Sequence, residues 1–294
     1  MDAIDRSETV GELLTQATRH LANAGIPFPV DEARLIMAEV LEVSRAWVIA
    51  HPEAGLPPDR RQLFLDYTSR RAAHEPVAYL VGRREFYGID FEVSPSVLIP
   101  RPETELLVDH AVAASARLQA ADERRNLVAV DLGTGSGAVA VVLAMRQPRL
   151  RVISVDRSAD ALDVAGANAA IHGVADRIEF RQGDLLQGID ERIDLLVANL
   201  PYIPTAEIDH LMPDVRDYEP HEALDGGSDG MVLIRRTLEE AVDRMATAGV
   251  LLFEIGDGQG DSLIETARQL YPDATVQVFK DYAGFDRILS IEMG

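Results

Sequence analysis

Three stretches of this sequence carry residue types that chemistry needs, at the spacing it needs them. In Val130-Asp131-Leu132-Gly133-Thr134-Gly135-Ser136-Gly137-Ala138, three glycines alternate between an apolar strand-like run and a helix-like run. Glycine lets backbone approach a ligand closely, and a helix N-terminus presents unpaired N–H groups. Asp156 closes the next apolar run, 21 residues beyond Gly135, where a carboxylate accepts hydrogen bonds from two ribose hydroxyls. A sterically tight turn accounts for the glycines alone, but not for strand, helix and acid in register. The pattern points to an adenosine-containing cofactor.

Gly133-x-Gly135-x-x-Ala138 also satisfies the relaxed nicotinamide fingerprint, so the glycines leave a dehydrogenase and a methyltransferase both open. Asp131 tilts the balance. Its charge is unwelcome beside a pyrophosphate and favourable beside the amino group of S-adenosylmethionine. By itself it also reads as a solvent-facing or helix-terminal acid. Asp184, after the third strand, is placed to accept from an adenine amino group, with Leu185 against the ring, although a strand-to-helix cap explains Asp184 equally well. The expected cofactor residues are thus Asp131, Gly133, Thr134, Gly135, Ser136, Gly137, Asp156, Asp184 and Leu185, with Asn199 alongside.

Asn199-Leu200-Pro201-Tyr202 follows the apolar run 193–198, at the carboxyl end of a strand, where open α/β sheets bind ligands. A planar amide or amino nitrogen is a poor nucleophile because its lone pair is delocalised. Transfer to it needs acceptors that hold its hydrogens and aim the nitrogen. Asn199 Oδ1 and the Leu200 carbonyl are suited to that, Pro201 stiffens the turn, and Tyr202 is expected to stack on the planar group and exclude water. Asn199 and Tyr202 are the expected catalytic residues, and 199–202 together the substrate-binding ones. The bland alternative is a common Asn-x-Pro turn with Tyr202 in the core.

The elements that must position these residues are legible in outline. Thr9 and Glu12 form a capping-box pattern ahead of an amphipathic helix that runs to Gly25. Further helices are expected after Asp31, after Ser44, and from Pro57-Pro58 to about His74, so that 1–75 forms a small helical domain. Residues 76–101 read as a β-hairpin linker, with aromatic and β-branched texture from Tyr79 to Ile99. A domain over 102–294 follows. It opens with a helix from Pro102 that the polar run 120–126 ends. Strand-like runs at 127–130, 151–155, 178–181, 193–198 and 250–254 then alternate with helical stretches, which argues for a mostly parallel sheet covered on both faces. The tail, 275–280 and 286–291, reads as an antiparallel hairpin.

Composition narrows the function classes. The 294 residues carry 28 Lys plus Arg against 49 Asp plus Glu, a net charge of −21, which repels phosphate backbones and anionic membranes. Residues 1–85 hold 10 basic and 13 acidic residues, −3, leaving −18 for the rest, so the nearly neutral helical part is the one suited to approach another macromolecule. Without cysteine there is no disulfide, thiolate zinc site or cysteine nucleophile. The seven histidines show no H-x-x-x-H spacing, and no metal is expected. The acidic start, with Asp2, Asp5 and Glu8, does not address export, and the longest apolar stretch, 138–145, is far too short to span a bilayer. A cytoplasmic monomer is expected. The arginine pairs at 60–61, 70–71, 83–84, 124–125 and 235–236 are mixed with acids, like solvated faces rather than a nucleic-acid stripe.

Over nearly its whole length the sequence resembles the peptide chain release factor N5-glutamine methyltransferases, the PrmC or HemK family. The resemblance rests on Phe86-Tyr87-Gly88, Leu98-Ile99-Pro100-Arg101-Pro102-Glu103-Thr104-Glu105, the glycine loop 133–137, Asn199 to Tyr202, Tyr218-Glu219-Pro220, and Asp281-Tyr282 through Arg287. The Ile-Pro-Arg-Pro-Glu-Thr-Glu run is the most specific. The resemblance implies a class I methyltransferase-like (Rossmann-like) domain preceded by a helical domain that docks a class I release factor. It implies methylation of the glutamine of the factor's Gly-Gly-Gln motif, in translation termination, with S-adenosylmethionine converted to S-adenosylhomocysteine. By position, Gly133 to Gly137 and Asp156 would bind the cofactor and Asn199 to Tyr202 the glutamine amide. Leu200 departs from the pattern, standing where the family usually has a proline. Adenine-N6 nucleic-acid methyltransferases and ribosomal-protein glutamine methyltransferases are the alternatives, as is a cofactor-binding interaction module whose methyl transfer has decayed. No direct nucleic-acid partner is expected.

Overall fold

The computed structural model describes residues 8–121 and 126–294. The acidic start at 1–7 and the part of the polar run at 122–125, with Arg124 and Arg125, lie outside the described residues. The chain divides into two compact units, one of residues 1–82 with 213–218, the other of 83–212 with 219–294.

The first unit holds α1 (Val10–Asn23), α2 (Pro29–Leu41), α3 (Arg45–Ala50), α4 (Pro58–Ala72) and α5 (Val77–Val81). Thr9 caps α1 reciprocally: its hydroxyl accepts from the Glu12 N–H at 3.3 Å, and Glu12 Oε2 accepts from the Thr9 N–H at 2.9 Å. Val10, Leu13, Ala17 and Leu21 then bury one face against Ile36, Met37 and Phe64. Helix α2 starts at Pro29 rather than after Asp31, because proline at the first helical position gives up no hydrogen bond. Residues 77–81, which fall in the expected β-hairpin linker and include the start of its strand-like texture at Tyr79, are helical instead. Pro76 leads them in, Ala78, Tyr79 and Leu80 are buried, and Gly82 at φ 75° ends the turn. Arg71 departs from the expected solvated face. It is 2% exposed and ion-paired with Glu32 and, at 3.6 Å, with Asp214.

The second unit opens with the antiparallel hairpin β1 (Arg83–Phe86) and β2 (Ile89–Glu92). Tyr87 and Gly88 join them at φ 55° and 79°, the doubly positive geometry of a two-residue hairpin turn. There follow α6 (Thr104–Ala121), β3 (Leu127–Leu132), α7 (Ala138–Arg146), β4 (Leu150–Asp156), α8 (Ala159–Ile171), β5 (Ile178–Gln182) and β6 (Ile193–Ala198). After α9 (Pro213–Arg216), which belongs to the first unit, come α10 (Val232–Ala241), β7 (Met245–Glu254), α11 (Gly260–Leu270), β8 (Thr275–Lys280) and β9 (Asp286–Glu292).

Seven strands form one sheet in the order β5-β4-β3-β6-β7-β9-β8. The first five are mutually parallel, and β9 runs antiparallel to both β7 and β8. This is the expected class I methyltransferase architecture with its antiparallel tail. Alternate strand residues divide between two cores. Ala129, Val152 and Val197 pack with Leu107 of α6 and Leu143 of α7, while Val130, Ile153 and Leu196 pack with Leu238 of α10 and Leu263 of α11. A sheet covered on both faces needs such near-continuous apolar strands. Among the described residues no helix is long and apolar enough to cross a membrane.

Candidate active site

Strand order reverses at β3, whose neighbours β4 and β6 are reached by connections in opposite directions. In open α/β sheets the crevice beyond the carboxyl ends of the strands at such a point receives ligand. A cleft of about 400 Å³ lies there. Its lining brings together Asp131, Gly133, Thr134, Gly135, Ser136, Asp156, Asp184, Leu185, Asn199, Leu200 and Pro201 from among the residues singled out in the sequence. Gly137 and Tyr202 are not part of the lining.

Gly133, Gly135 and Gly137 have φ of 69°, 53° and 79°, a left-handed run that side chains oppose. At Gly137 an added Cβ would stand 2.9 Å from the Ala165 Cβ, so glycine there also lets α7 lie against α8. Both oxygens of Asp156 are held by backbone, one accepting from the Gly135 N–H and the other from the Ser158 N–H, each at 2.9 Å. The carboxylate is therefore fixed beside the loop, with lone pairs left for vicinal hydroxyls. Asn168 of α8, fully buried, steadies the loop from behind. Its Nδ2 donates to the Ser136 carbonyl at 2.9 Å and to the Glu92 carbonyl at 3.0 Å.

Asp131, next to last in β3, is 2% exposed and accepts from the Thr134 hydroxyl at 2.6 Å. Burial pushes its carboxyl up to about 7, with the nearby Asp156 charge adding to the rise and Thr134 opposing it. A cationic group in the cleft would meet an acceptor that lacks a counter-charge. Across the cleft, Asp184 Oδ2 accepts from Arg236 at 2.8 Å, and Arg236 also donates to Glu240, which accepts from the Leu186 N–H. The other oxygen, Asp184 Oδ1, is buried with no partner. An unpaired buried acceptor is costly, and a ligand N–H that reached it would relieve that cost. Leu185 follows at φ 54°, a strained position for a branched residue. Three acceptors and one apolar wall therefore line the same cleft: Asp156, suited to vicinal hydroxyls, Asp184, suited to an amine, Asp131, suited to an ammonium, and Leu185, suited to an apolar ring.

Asn199 follows β6 at the same end of the sheet. Its Nδ2 donates to Thr104 Oγ1 at 3.0 Å, and the Thr104 hydroxyl donates to Glu254 Oε2 at 2.7 Å. Tyr202 turns its hydroxyl to the second oxygen, Glu254 Oε1, at 3.1 Å, and burial raises that phenol. Glu254, the last residue of β7, is 1% exposed, and burial raises its carboxyl as well. The turn's exit is clamped by Gln259, which donates to the Tyr202 carbonyl at 2.9 Å and accepts from the Gly256 N–H at 2.9 Å. Leu200 is 4% exposed and lies against the glycine loop, with Cδ2 3.3 Å from where a Gly133 Cβ would stand. Apolar packing holds the backbone where proline would stiffen it. Arg101, also in the lining, is tied to the buried Glu219, whose other oxygen accepts from the Ile99 N–H at 3.2 Å.

Thr104, Glu254, Asn168, Gln259 and Arg236 escaped the sequence reading as site residues. A polar residue closing an otherwise apolar strand, as Glu254 does, at the ligand-binding end of the sheet, was the available signal.

Residues 12–82 match the family model described as PrmC N-terminal domain, and residues 105–212 match the methyltransferase small domain. A release factor glutamine methyltransferase of Moorella thermoacetica is 41% identical over 280 residues, covering 95% of this chain and 96% of that protein. One from Cereibacter sphaeroides is 38% identical over 285 residues, covering 96% and 98%. Among solved structures, a methyltransferase of Pyrococcus furiosus shares the fold at 17% identity, covering 80% of this chain and 98% of that one with a TM-score of 0.51.

Proposed function

The chain belongs to the release factor glutamine methyltransferase family, and from that premise we propose that it methylates the side-chain amide nitrogen of the glutamine in the Gly-Gly-Gln motif of class I release factors, in the cytoplasm, using S-adenosylmethionine. The observation that carries this reading is Asn199, whose amide nitrogen is spent on Thr104 so that its oxygen is left for the cleft that the glycine loop opens.

S-adenosylmethionine supplies an electrophilic methyl on a sulfonium sulfur. In this reading Gly133 to Ser136 let backbone lie close to it, Asp156 accepts from the ribose hydroxyls, Asp184 Oδ1 accepts from the adenine amino group, and Asp131 faces the ammonium. Asn199 Oδ1 and the Leu200 carbonyl accept the two N–H groups of the substrate amide, which aims its nitrogen at the cleft. As the nitrogen gains a methyl it loses one proton to solvent, and the two acceptor oxygens stabilise the positive charge that develops on it. Orientation carries the rate, so no strong base is needed. Tyr202, bound to Glu254, shapes the wall behind the turn. The nearly neutral helical unit, matched to the PrmC N-terminal domain, is the part proposed to dock the factor.

The test is single-turnover transfer of labelled methyl to purified, unmodified class I release factor, with the motif glutamine replaced by alanine as control. Label entering only the unreplaced factor is the expected result. Asn199→Ala should bind S-adenosylmethionine within about threefold of wild type and lose about 100-fold or more in transfer. Wild-type turnover by that variant would sink the role given to Asn199.

A further inference from the structure

An asparagine amide has two ends of nearly the same shape, one accepting and one donating, and only the accepting end can hold a substrate N–H. Nothing in Asn199 itself chooses between them. The choice is made by the group on its far side. Thr104 Oγ1 can accept from a donor or donate to an acceptor, and its single hydrogen goes to Glu254 Oε2 at 2.7 Å. Once that hydrogen is spent, Thr104 presents only lone pairs to Asn199 at 3.0 Å, so the nitrogen must face Thr104 and the oxygen must face the cleft. Glu254 in turn receives the Tyr202 hydroxyl on its other oxygen, so both of its oxygens act as acceptors.

We propose that Glu254, acting through the hydroxyl of Thr104, is the positioning residue that fixes the accepting end of the Asn199 amide toward the substrate. The inference rests on the amide-holding role proposed above for Asn199 and adds a residue that never touches the substrate. Thr104 and Glu254 come from the start of α6 and the end of β7, 150 positions apart, and meet only because α6 lies over β7 at this edge of the cleft. The two inner members are buried, Thr104 at 5% exposure and Glu254 at 1%, so water does not replace a lost partner between them cheaply.

The experiment compares Thr104→Val, Thr104→Ser and Glu254→Gln in the full chain, with each variant's folding checked by thermal melting and its binding of S-adenosylmethionine by calorimetry. Thr104→Val keeps the shape and removes the relay, so kcat should fall about 30- to 100-fold while cofactor affinity stays within about threefold. Thr104→Ser should restore most of kcat, because it returns the hydroxyl. Glu254→Gln can donate to Thr104 as well as accept, so it should lose an intermediate amount, about 5- to 30-fold. A role confined to packing predicts that Thr104→Val, the better isostere, outperforms Thr104→Ser.

The decisive arm is the double variant. If Thr104 acts only through Asn199, adding Thr104→Val to Asn199→Ala costs nothing further, whereas independent effects would multiply. Wild-type kcat in folded Thr104→Val, or multiplying losses in the double variant, overturns the proposal. Should Thr104→Val fail to fold, wild-type kcat in folded Glu254→Leu, which can accept nothing from Thr104, overturns it instead. Failure of the wild-type enzyme to label release factor at all is a different outcome and removes the parent reading instead.

Discussion

The Asp131 carboxylate accepts the Thr134 hydroxyl at 2.6 Å at the buried end of β3, a neutral partner for an acid held out of water. Burial outweighs it and pushes the Asp131 carboxyl up to about 7. In the proposed complex the ammonium of S-adenosylmethionine supplies the missing counter-charge, so the cofactor prefers the ionised form. Affinity should therefore weaken as pH falls through about 7, approaching tenfold per unit below it, and should weaken again above about 8 as the amino group itself deprotonates. Calorimetric titrations across that range check the slope, and Asp131→Asn should flatten it. The sign for the free protein is opposite. A carboxyl held above its unfolded value keeps its proton longer in the folded state, so the stability this group contributes falls as pH rises from about 4 to about 7. The melting temperature of Asp131→Asn should lack that decline.

Asp184 shares one oxygen with Arg236 and leaves Oδ1 buried and unpaired. Asp184→Asn must keep its oxygen on Arg236, which turns an N–H toward the cleft where the adenine amine also donates. S-adenosylmethionine should bind about 10- to 100-fold more weakly. The variant should also stop distinguishing adenosine-bearing from inosine-bearing cofactor analogues, a comparison that competition binding reads directly. Retained discrimination would remove the amine from this position.

Two glycines near α8 should respond in opposite directions. Gly137→Ala places a Cβ 2.9 Å from Ala165 at φ 79°, and should lower unfolding stability by about 2–4 kcal/mol. Gly166 lies inside α8 with no atom within 4 Å of the added Cβ, so Gly166→Ala should raise stability by about 0.5–1 kcal/mol. Urea unfolding of the two variants against wild type separates a packing glycine from a tolerated one.

What the sequence made legible was local. The glycine loop, Asp156, Asp184 and Asn199 are each read from residues within a few positions of a strand end, and the fold brings them to one cleft. Pairings between distant positions left no periodic trace. Thr104 stood in a recognisable run and Glu254 at the end of an anticipated strand, yet nothing in either neighbourhood states that the two hydrogen-bond. The same holds for Asn168, which reads as a helix residue until its amide is seen under Ser136. Helix α5 was hidden for a different reason. Its Val-Ala-Tyr-Leu-Val run is strand-like in composition, and five residues are too few for helical periodicity to show. The position of Tyr202 beside Pro201 is plain in the sequence, but the bond from its hydroxyl to the buried Glu254, 52 residues on, is not.

Arg71 carries a consequence for synthesis. Its guanidinium is enclosed among helices laid down early, but one of its two carboxylates, Asp214, is made 143 residues later. A ribosome adding about 5–20 residues per second takes roughly 7–30 s to cover that interval. Throughout it the nascent helical unit holds a sequestered cation with Glu32 as its acidic partner, and it lacks residues 213–218 altogether. The first unit to emerge is therefore not the first to be finished, and its Arg71–Asp214 ion pair closes only after β3 through β6 have been translated.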